Sequence, residues 1–148
     1  MRRFFVIFAV AANLTLVDAV TKEMAAGCLK GAAAISVIPG FFDLTYTENR
    51  GCAWGMLQGQ VWPLAIFAMA ALGLLIWKRR SVFDGSILIE TMLYAGIIGN
   101  AIDRIFRGYV IDMLDFHWRN VYHFPCFNLA DCCITVAAAL LILKGLKK

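Results

Sequence analysis

The chain has 148 residues, of which 61% are hydrophobic and only 16% charged, with a net charge of +4 at pH 7. Soluble domains carry about 25% charged residues, and a mean hydropathy of +0.74 exceeds what one soluble core requires, so the composition is that of an integral membrane protein forming one domain over 1–148. The basic residues sit at the ends of apolar runs rather than along one stripe, which excludes a nucleic-acid surface.

Four apolar windows stand out, at 4–20, 61–77, 86–102 and 127–143. Each is about 17 residues, the short end of what spans a bilayer as a helix. The expected fold is an all-α membrane protein with four transmembrane helices and a small periplasmic antiparallel β-sheet between the first two. The first window follows Arg2 and Arg3 and also looks like a signal peptide. Asn13 and Asp18 interrupt its latter half, and its removal would leave an odd number of spans, so it is read as retained. Lys78, Arg79 and Arg80 fill the tight turn between the second and third windows, and Lys144, Lys147 and Lys148 end the chain. The positive-inside rule puts all of these in the cytoplasm. Both termini are then cytoplasmic, and the connections 22–60 and 103–126 face outward.

Within the first connection, Pro39-Gly40 signals a turn and 41–47 alternates apolar with polar residues, as a strand does. Asn49-Arg50-Gly51 supplies another turn, and Cys52-Ala53-Trp54 reads as a returning strand. Phe41, Phe42 and Trp54 are the expected interfacial aromatics.

Polar residues recur on helical faces near the outer end. Asp18, Thr21 and Lys22 share one face, with Asp18 and Lys22 spaced for an ion pair. Two readings stay open there: a helix end anchored by a snorkelling lysine, or a polar face turned into the bundle. Lys22 is taken to orient rather than to catalyse, so that arginine should replace it with much activity kept. Asn100, Asp103, Arg104 and Arg107 likewise share a face. Asp103 is read as scaffold paired with Arg107, and Gly96 and Gly99 let helices approach closely. Glu90, early in the third window, is expected to snorkel to the cytoplasmic surface.

The densest concentration of ionisable groups runs from Asn100 to Asp131, with four aspartates, three arginines and two histidines. Such groups at a membrane boundary point to a functional site. Asn128 and Asp131 open the last apolar window as a capping box with aspartate in place of glutamate. A carboxylate there faces the positive end of the helix dipole. Asp112 lies in a short apolar strand-like run, where burial should make it resist ionisation. Two carboxylates in opposed environments can divide the roles of acid and base. His117 and His123 are read as surface histidines in an aromatic belt. Ser36 and Ser81 have no visible base. Cys28, Cys52, Cys126, Cys132 and Cys133 form no CxxC pair and no metal spacing with the histidines. No metal and no cofactor are expected.

Five segments in order resemble the signatures of the lipoprotein signal peptidase (signal peptidase II) family. They are Asp18-Ala19-Val20-Thr21-Lys22, Asn49-Arg50-Gly51-Cys52-Ala53-Trp54-Gly55, Gly96-Ile97-Ile98-Gly99-Asn100-Ala101-Ile102-Asp103-Arg104, Gly108-Tyr109-Val110-Ile111-Asp112 and Phe127-Asn128-Leu129-Ala130-Asp131. The resemblance covers essentially the whole chain. It implies an aspartyl endopeptidase of the bacterial inner membrane that removes signal peptides from diacylglyceryl-modified prolipoproteins, cutting before the lipidated cysteine. It implies Asp112 and Asp131 as the catalytic pair, and Asp18, Lys22, Asn49, Gly51, Asn100, Asp103, Arg104, Asn128 and Ala130 as lining or substrate-binding positions. Three positions depart from the family pattern: Trp54 stands in place of phenylalanine, Ala95 in place of the first glycine of a Gly-Gly pair, and Cys52 is an unusual filler. The partners implied are the lipidated substrates and membrane lipid, and the chain is expected to act as a monomer.

The chemistry suits the residues. A carboxylate dyad can activate water with its ionised member and hydrogen-bond the scissile carbonyl with its protonated one. A proton-coupled transporter is the competing class, but its relay would continue toward the other side, whereas here the acids, Glu90 apart, cluster at the outer end. A third reading is a scaffold subunit whose charges only seal helix ends.

Overall fold

The computed structural model describes residues 2–119 and 121–146; Lys147 and Lys148 of the basic C-terminal end lie outside them. Helix α1 (Arg2–Leu29) is followed by strands β1 (Ile35–Ile38) and β2 (Phe42–Asn49), a single 3-10 turn (Ala53–Gly55) and helix α2 (Val61–Trp77). A short helix α3 (Arg79–Phe83) leads to α4 (Ile87–Arg107), strands β3 (Val110–Trp118) and β4 (Tyr122–His123), and α5 (Leu129–Gly145).

Local chemistry sets the helix limits. Ser86 caps α4 by accepting from the Ile89 N–H, and Gly108, at φ +77°, ends it in the left-handed conformation that glycine adopts without steric cost. Pro63 falls in the first turn of α2, where its missing N–H removes no helical bond. α1 extends nine residues past its apolar window, for a length of about 42 Å. It is long and apolar enough to cross a membrane.

The bundle is apolar outside and partly polar inside. Phe4, Phe5, Phe8, Trp62, Ile66, Phe67, Trp77 and Phe106 are exposed, while Lys22, Glu90, Asp112 and Asn128 are buried. Water would penalise such a surface by about 25 cal/mol per Å² of apolar area. One apolar core joins Ile7, Leu72, Phe83, Ile89, Leu93 and Ala137 at the end nearer the N-terminus. A second, of Ala25, Leu29, Ile111 and Met113, seats the sheet on the last turns of α1.

The sheet has the order β1-β2-β3-β4, with every pair antiparallel. It is therefore not confined to the connection between the first two long helices, as the sequence suggests. Half of it comes from the connection between α4 and α5, through a β2–β3 pairing with Phe42 opposite Phe116 and Thr47 opposite Asp112. Cys52-Ala53-Trp54 is not a returning strand. The Cys52 N–H donates to the Met56 carbonyl at 2.9 Å, which closes a tight loop and puts Trp54 at φ 62°. The turn after α2 contains the helix α3 rather than a bare bend.

Two further expectations are corrected. Glu90 does not snorkel: it is fully buried, with Arg79 Nε 2.7 Å and Arg3 3.4 Å from its carboxylate and the Tyr94 hydroxyl donating at 3.2 Å. His117 is not a surface histidine. Asp43 lies across the sheet from Asp115, two residues from His117 on the same face, and its Oδ2 approaches His117 Nε2 at 3.2 Å. His123 is exposed, stacks on His117 and pairs with Asp115 at 3.0 Å.

Candidate active site

The site is assembled where the sheet meets the start of α5. Phe127 bridges to the middle of β3: its carbonyl accepts from the Met113 and Leu114 N–H groups at 3.1 and 2.9 Å, and its N–H donates to the Leu114 carbonyl. This fixes Asn128 beside Asp112. Asn128 then opens α5 with a complete capping box. Its side-chain oxygen accepts from the Asp131 N–H at 2.9 Å, and Asp131 Oδ2 accepts from the Asn128 N–H at 3.3 Å.

The same Asn128 side chain reaches the other carboxylate. Its Nδ2 donates to Asp112 Oδ1 at 2.7 Å, with Asn100 Oδ1 at 3.2 Å and the Ile111 carbonyl at 3.3 Å as further acceptors. Asp112 Oδ2 accepts from Asn49 Nδ2 at 3.0 Å, and Asp131 Oδ1 accepts from Asn100 Nδ2 at 2.7 Å. Both carboxylates are therefore held by side-chain amides and joined through Asn128. Asp112 is 2% exposed. Burial, and then the Asp131 charge, push its carboxyl up to about 7, against the opposing pull of the Asn49 and Asn128 amides. Near neutral pH a carboxyl of that kind carries a proton about half the time.

Beneath the pair lies a fully buried ammonium. Lys22 Nζ donates to Asp18 Oδ2 at 2.8 Å, Asp103 Oδ2 at 3.0 Å and Asn100 Oδ1 at 3.1 Å. Its three N–H bonds thus meet three acceptors, and the snorkelling alternative is ruled out. Asp18 Oδ1 accepts from the Ala130 N–H at 2.8 Å, which ties α1 to the first turn of α5. Asp103 also accepts from Arg107 Nε at 3.0 Å and from the Ile111 N–H at 3.3 Å. A Cβ built on Gly99 would sit 2.7 Å from Asp18 Oδ2 and 3.3 Å from the Ala130 Cβ, so the helices meet at this distance only with glycine there.

The loop after β2 closes the remaining side. Asn49 Oδ1 accepts from the Gly51 N–H at 2.9 Å, and the Gly51 carbonyl accepts from the Arg104 guanidinium at 2.9 Å. A Cβ on Gly51 would lie 2.4 Å from the Met56 carbonyl oxygen. Arg104 also contacts the Asn100 carbonyl at 3.4 Å and lies within electrostatic reach of Asp131 and Asp112.

All eleven residues singled out in the sequence therefore fall in one hydrogen-bonded network that joins α1, the loop after β2, α4, β3 and α5. Asp115 is not in it: along β3 it alternates with Asp112 and takes the face of His117 and His123. Sequence reasoning missed the backbone groups of Ile111 and Phe127, because a main-chain N–H or carbonyl leaves no trace in residue type. It also missed Glu23, which pairs with Arg107.

Apolar side chains outside, with a buried and a half-buried carboxylate held by side-chain amides at one end, fit the class of membrane enzymes. The family model for signal peptidase (SPase) II matches residues 10–147, and the chain belongs to that family. It is 42% identical to the lipoprotein signal peptidase of Symbiobacterium thermophilum over 131 residues, covering 86% of each chain. It is 40% identical to that of Oleidesulfovibrio alaskensis over 152 aligned positions, covering 98% of this chain and 97% of the relative. A solved structure described as a bacterial membrane enzyme superposes with a TM-score of 0.85 at 32% identity, covering 96% of this chain and 88% of that one.

Proposed function

We propose that the chain is a single-domain aspartic endopeptidase that removes signal peptides from diacylglyceryl-modified prolipoproteins, cutting before the lipidated cysteine. Asp112 and Asp131 are the catalytic pair. Asp131 takes a proton from water as that water attacks the scissile carbonyl, while protonated Asp112 hydrogen-bonds the carbonyl oxygen. The tetrahedral gem-diol collapses as the leaving amine nitrogen gains a proton from the dyad. Arg104, Asn49, Gly51 and Ala130 position the substrate backbone. Asn100 and Asn128 orient the carboxylates, and Asp18, Lys22 and Asp103 hold the helices beneath them.

The observation that carries this reading is the double engagement of Asn128, whose one side chain caps Asp131's helix and hydrogen-bonds Asp112. The enzyme works as a monomer in the bacterial inner membrane. Its four long helices cross the bilayer, both termini are cytoplasmic, and the site faces the periplasm. The exposed aromatic and aliphatic side chains on α1 and α2 support the lipid contact, and the arginines at Arg2, Arg3, Arg79 and Arg80 support the orientation.

The test is single-turnover cleavage of a lipidated peptide with a small-small-cysteine junction by purified protein in detergent. Cleavage on the amino side of the lipidated cysteine is expected, with none in Asp112→Asn or Asp131→Asn. Wild-type-like cleavage by either variant would end the dyad assignment. An inert wild-type enzyme would favour the transporter or scaffold classes.

A further inference from the structure

At the other end of the bundle, a cavity of about 260 Å³ is lined by Arg3, Arg79, Arg80, Asp84 and Gly85. The rise along α1 from Arg3 to Asp18 is about 22 Å, so this hollow is separate from the carboxylate network. Its charges are unevenly matched. Glu90 lies beneath it and takes Arg79 through Nε alone, at 2.7 Å, with Arg3 more loosely at 3.4 Å. A guanidinium carries five N–H bonds, so both side chains keep further donors. Asp84, the other acid, is drawn toward Lys144 at 3.5 Å. Arg80 is exposed and makes no salt bridge among the described residues.

Three guanidiniums from two helices thus surround one hollow, and the two nearby carboxylates answer only part of their charge. Planar guanidinium forks match phosphate oxygens in pairs. The setting identifies what carries the phosphate. Phe4 and Phe5 on α1 and Ile76 and Trp77 on α2 are exposed close by in the chain, so the cavity opens where a greasy helix surface gives way to positive charge. Basic pockets between helices at that depth suit anionic headgroups, and acyl chains would lie along the apolar surface.

The geometry points to a phosphodiester site in which Arg3, Arg79 and Arg80 bind the headgroup of an anionic phospholipid. With the orientation proposed above, that lipid belongs to the cytoplasmic leaflet, the leaflet opposite the peptidase site.

The test uses full-length enzyme in neutral detergent, titrated with phosphatidylglycerol, phosphatidylcholine or inorganic phosphate and followed by native mass spectrometry. Wild type is expected to retain one phosphatidylglycerol at concentrations where phosphatidylcholine and inorganic phosphate give no adduct. Arg80→Gln should weaken phosphatidylglycerol about fivefold, the effect of one basic residue at a lipid surface, and Arg80→Glu should weaken it further, whereas Arg80→Lys, which keeps the charge and loses the fork, should weaken it less than Arg80→Gln. Because Arg80 has no acidic partner among the described residues, the lipid-free melting temperature of these variants should match wild type. Equal phosphatidylglycerol binding by wild type and Arg80→Glu, or equal binding of phosphatidylcholine, would overturn the site. Inorganic phosphate binding as tightly as phosphatidylglycerol would overturn its assignment to lipid. None of these readouts depends on cleavage, so the result stands apart from the peptidase reading.

Discussion

Asp112 combines near-complete burial with two amide donors, and each property has its own consequence. If Asp112 is half of the catalytic unit proposed above, Asp112→Asn should lower single-turnover cleavage by about 10³-fold or more. Asp131→Asn should do the same, and the double variant should be no worse than either, because residues acting as one unit are not additive. Asp115→Asn should be mild, since Asp115 faces His123 on the other side of the strand. The raised pKa adds a pH signature. Cleavage that needs one proton on the dyad should fall as pH rises through about 7. Stability follows the same group. An aspartate whose folded pKa is raised binds its proton more tightly folded than unfolded. Wild type should therefore lose stability as pH rises from about 4, the unfolded value, to about 7. Asp112→Asn lacks this slope, so its melting temperature relative to wild type should climb across that window. A constant difference would contradict the assigned burial effect. Lys22 is the other decisive residue. Lys22→Met leaves Asp18 and Asp103 without their shared cation and should cost about 3–5 kcal/mol. The sequence alone favours Lys22→Arg as a tolerated change. With Lys22 fully buried among three acceptors, the bulkier guanidinium is an overpacking change, expected to cost about 1–3 kcal/mol and to be visible as a lower detergent melting temperature.

The N-terminal turn of α5 is the element on which the site depends. Asn128→Ala removes a helix cap, which costs about 1 kcal/mol, and also frees Asp112 and Asn100. Cleavage should therefore fall far more than the melting temperature does; parallel losses would make Asn128 a structural cap only. Gly99→Ala drives a methyl against Asp18 and Ala130 and should lower both by separating α4 from α5. This element was largely readable in advance, because a capping box needs only residues three positions apart. The helices were readable for a similar reason: α2 coincides with its apolar window, and α1, α4 and α5 contain most of theirs. The β2–β3 pairing was not readable. It joins segments more than sixty positions apart, and its register follows from packing on α1 and from the Phe42–Phe116 stack. The burial of His117 depends on that same register, through Asp43, so an isolated reading of an aromatic-rich loop placed it at the surface. The strand expected at Cys52–Trp54 failed because a local hydrogen bond to Met56 outcompeted any ladder partner.

At the scale of the whole molecule, the proposed topology makes a direct prediction. A cysteine placed at Asn49, in a background without accessible thiols, should react with an impermeant reagent from the periplasmic side only. Labelling confined to the cytoplasmic side would reverse the orientation, and with it the leaflet assigned to the arginine pocket. Removing Cys28 matters in that background, since it is exposed at the same end of α1.

The buried ammonium also bears on how such a bundle is made. Asp18 and Lys22 lie four residues apart on α1, and Asp103 and Arg107 lie four apart on α4. With the topology proposed above, each helix brings opposite charges already matched within itself when it leaves the insertion machinery, well before the other is at hand. The link between Lys22 and Asp103 forms only when the two helices meet side by side. Biogenesis can then proceed as two insertions that are each electrically tolerable alone, followed by a lateral docking step in which each ion pair keeps its local partner and gains a shared one.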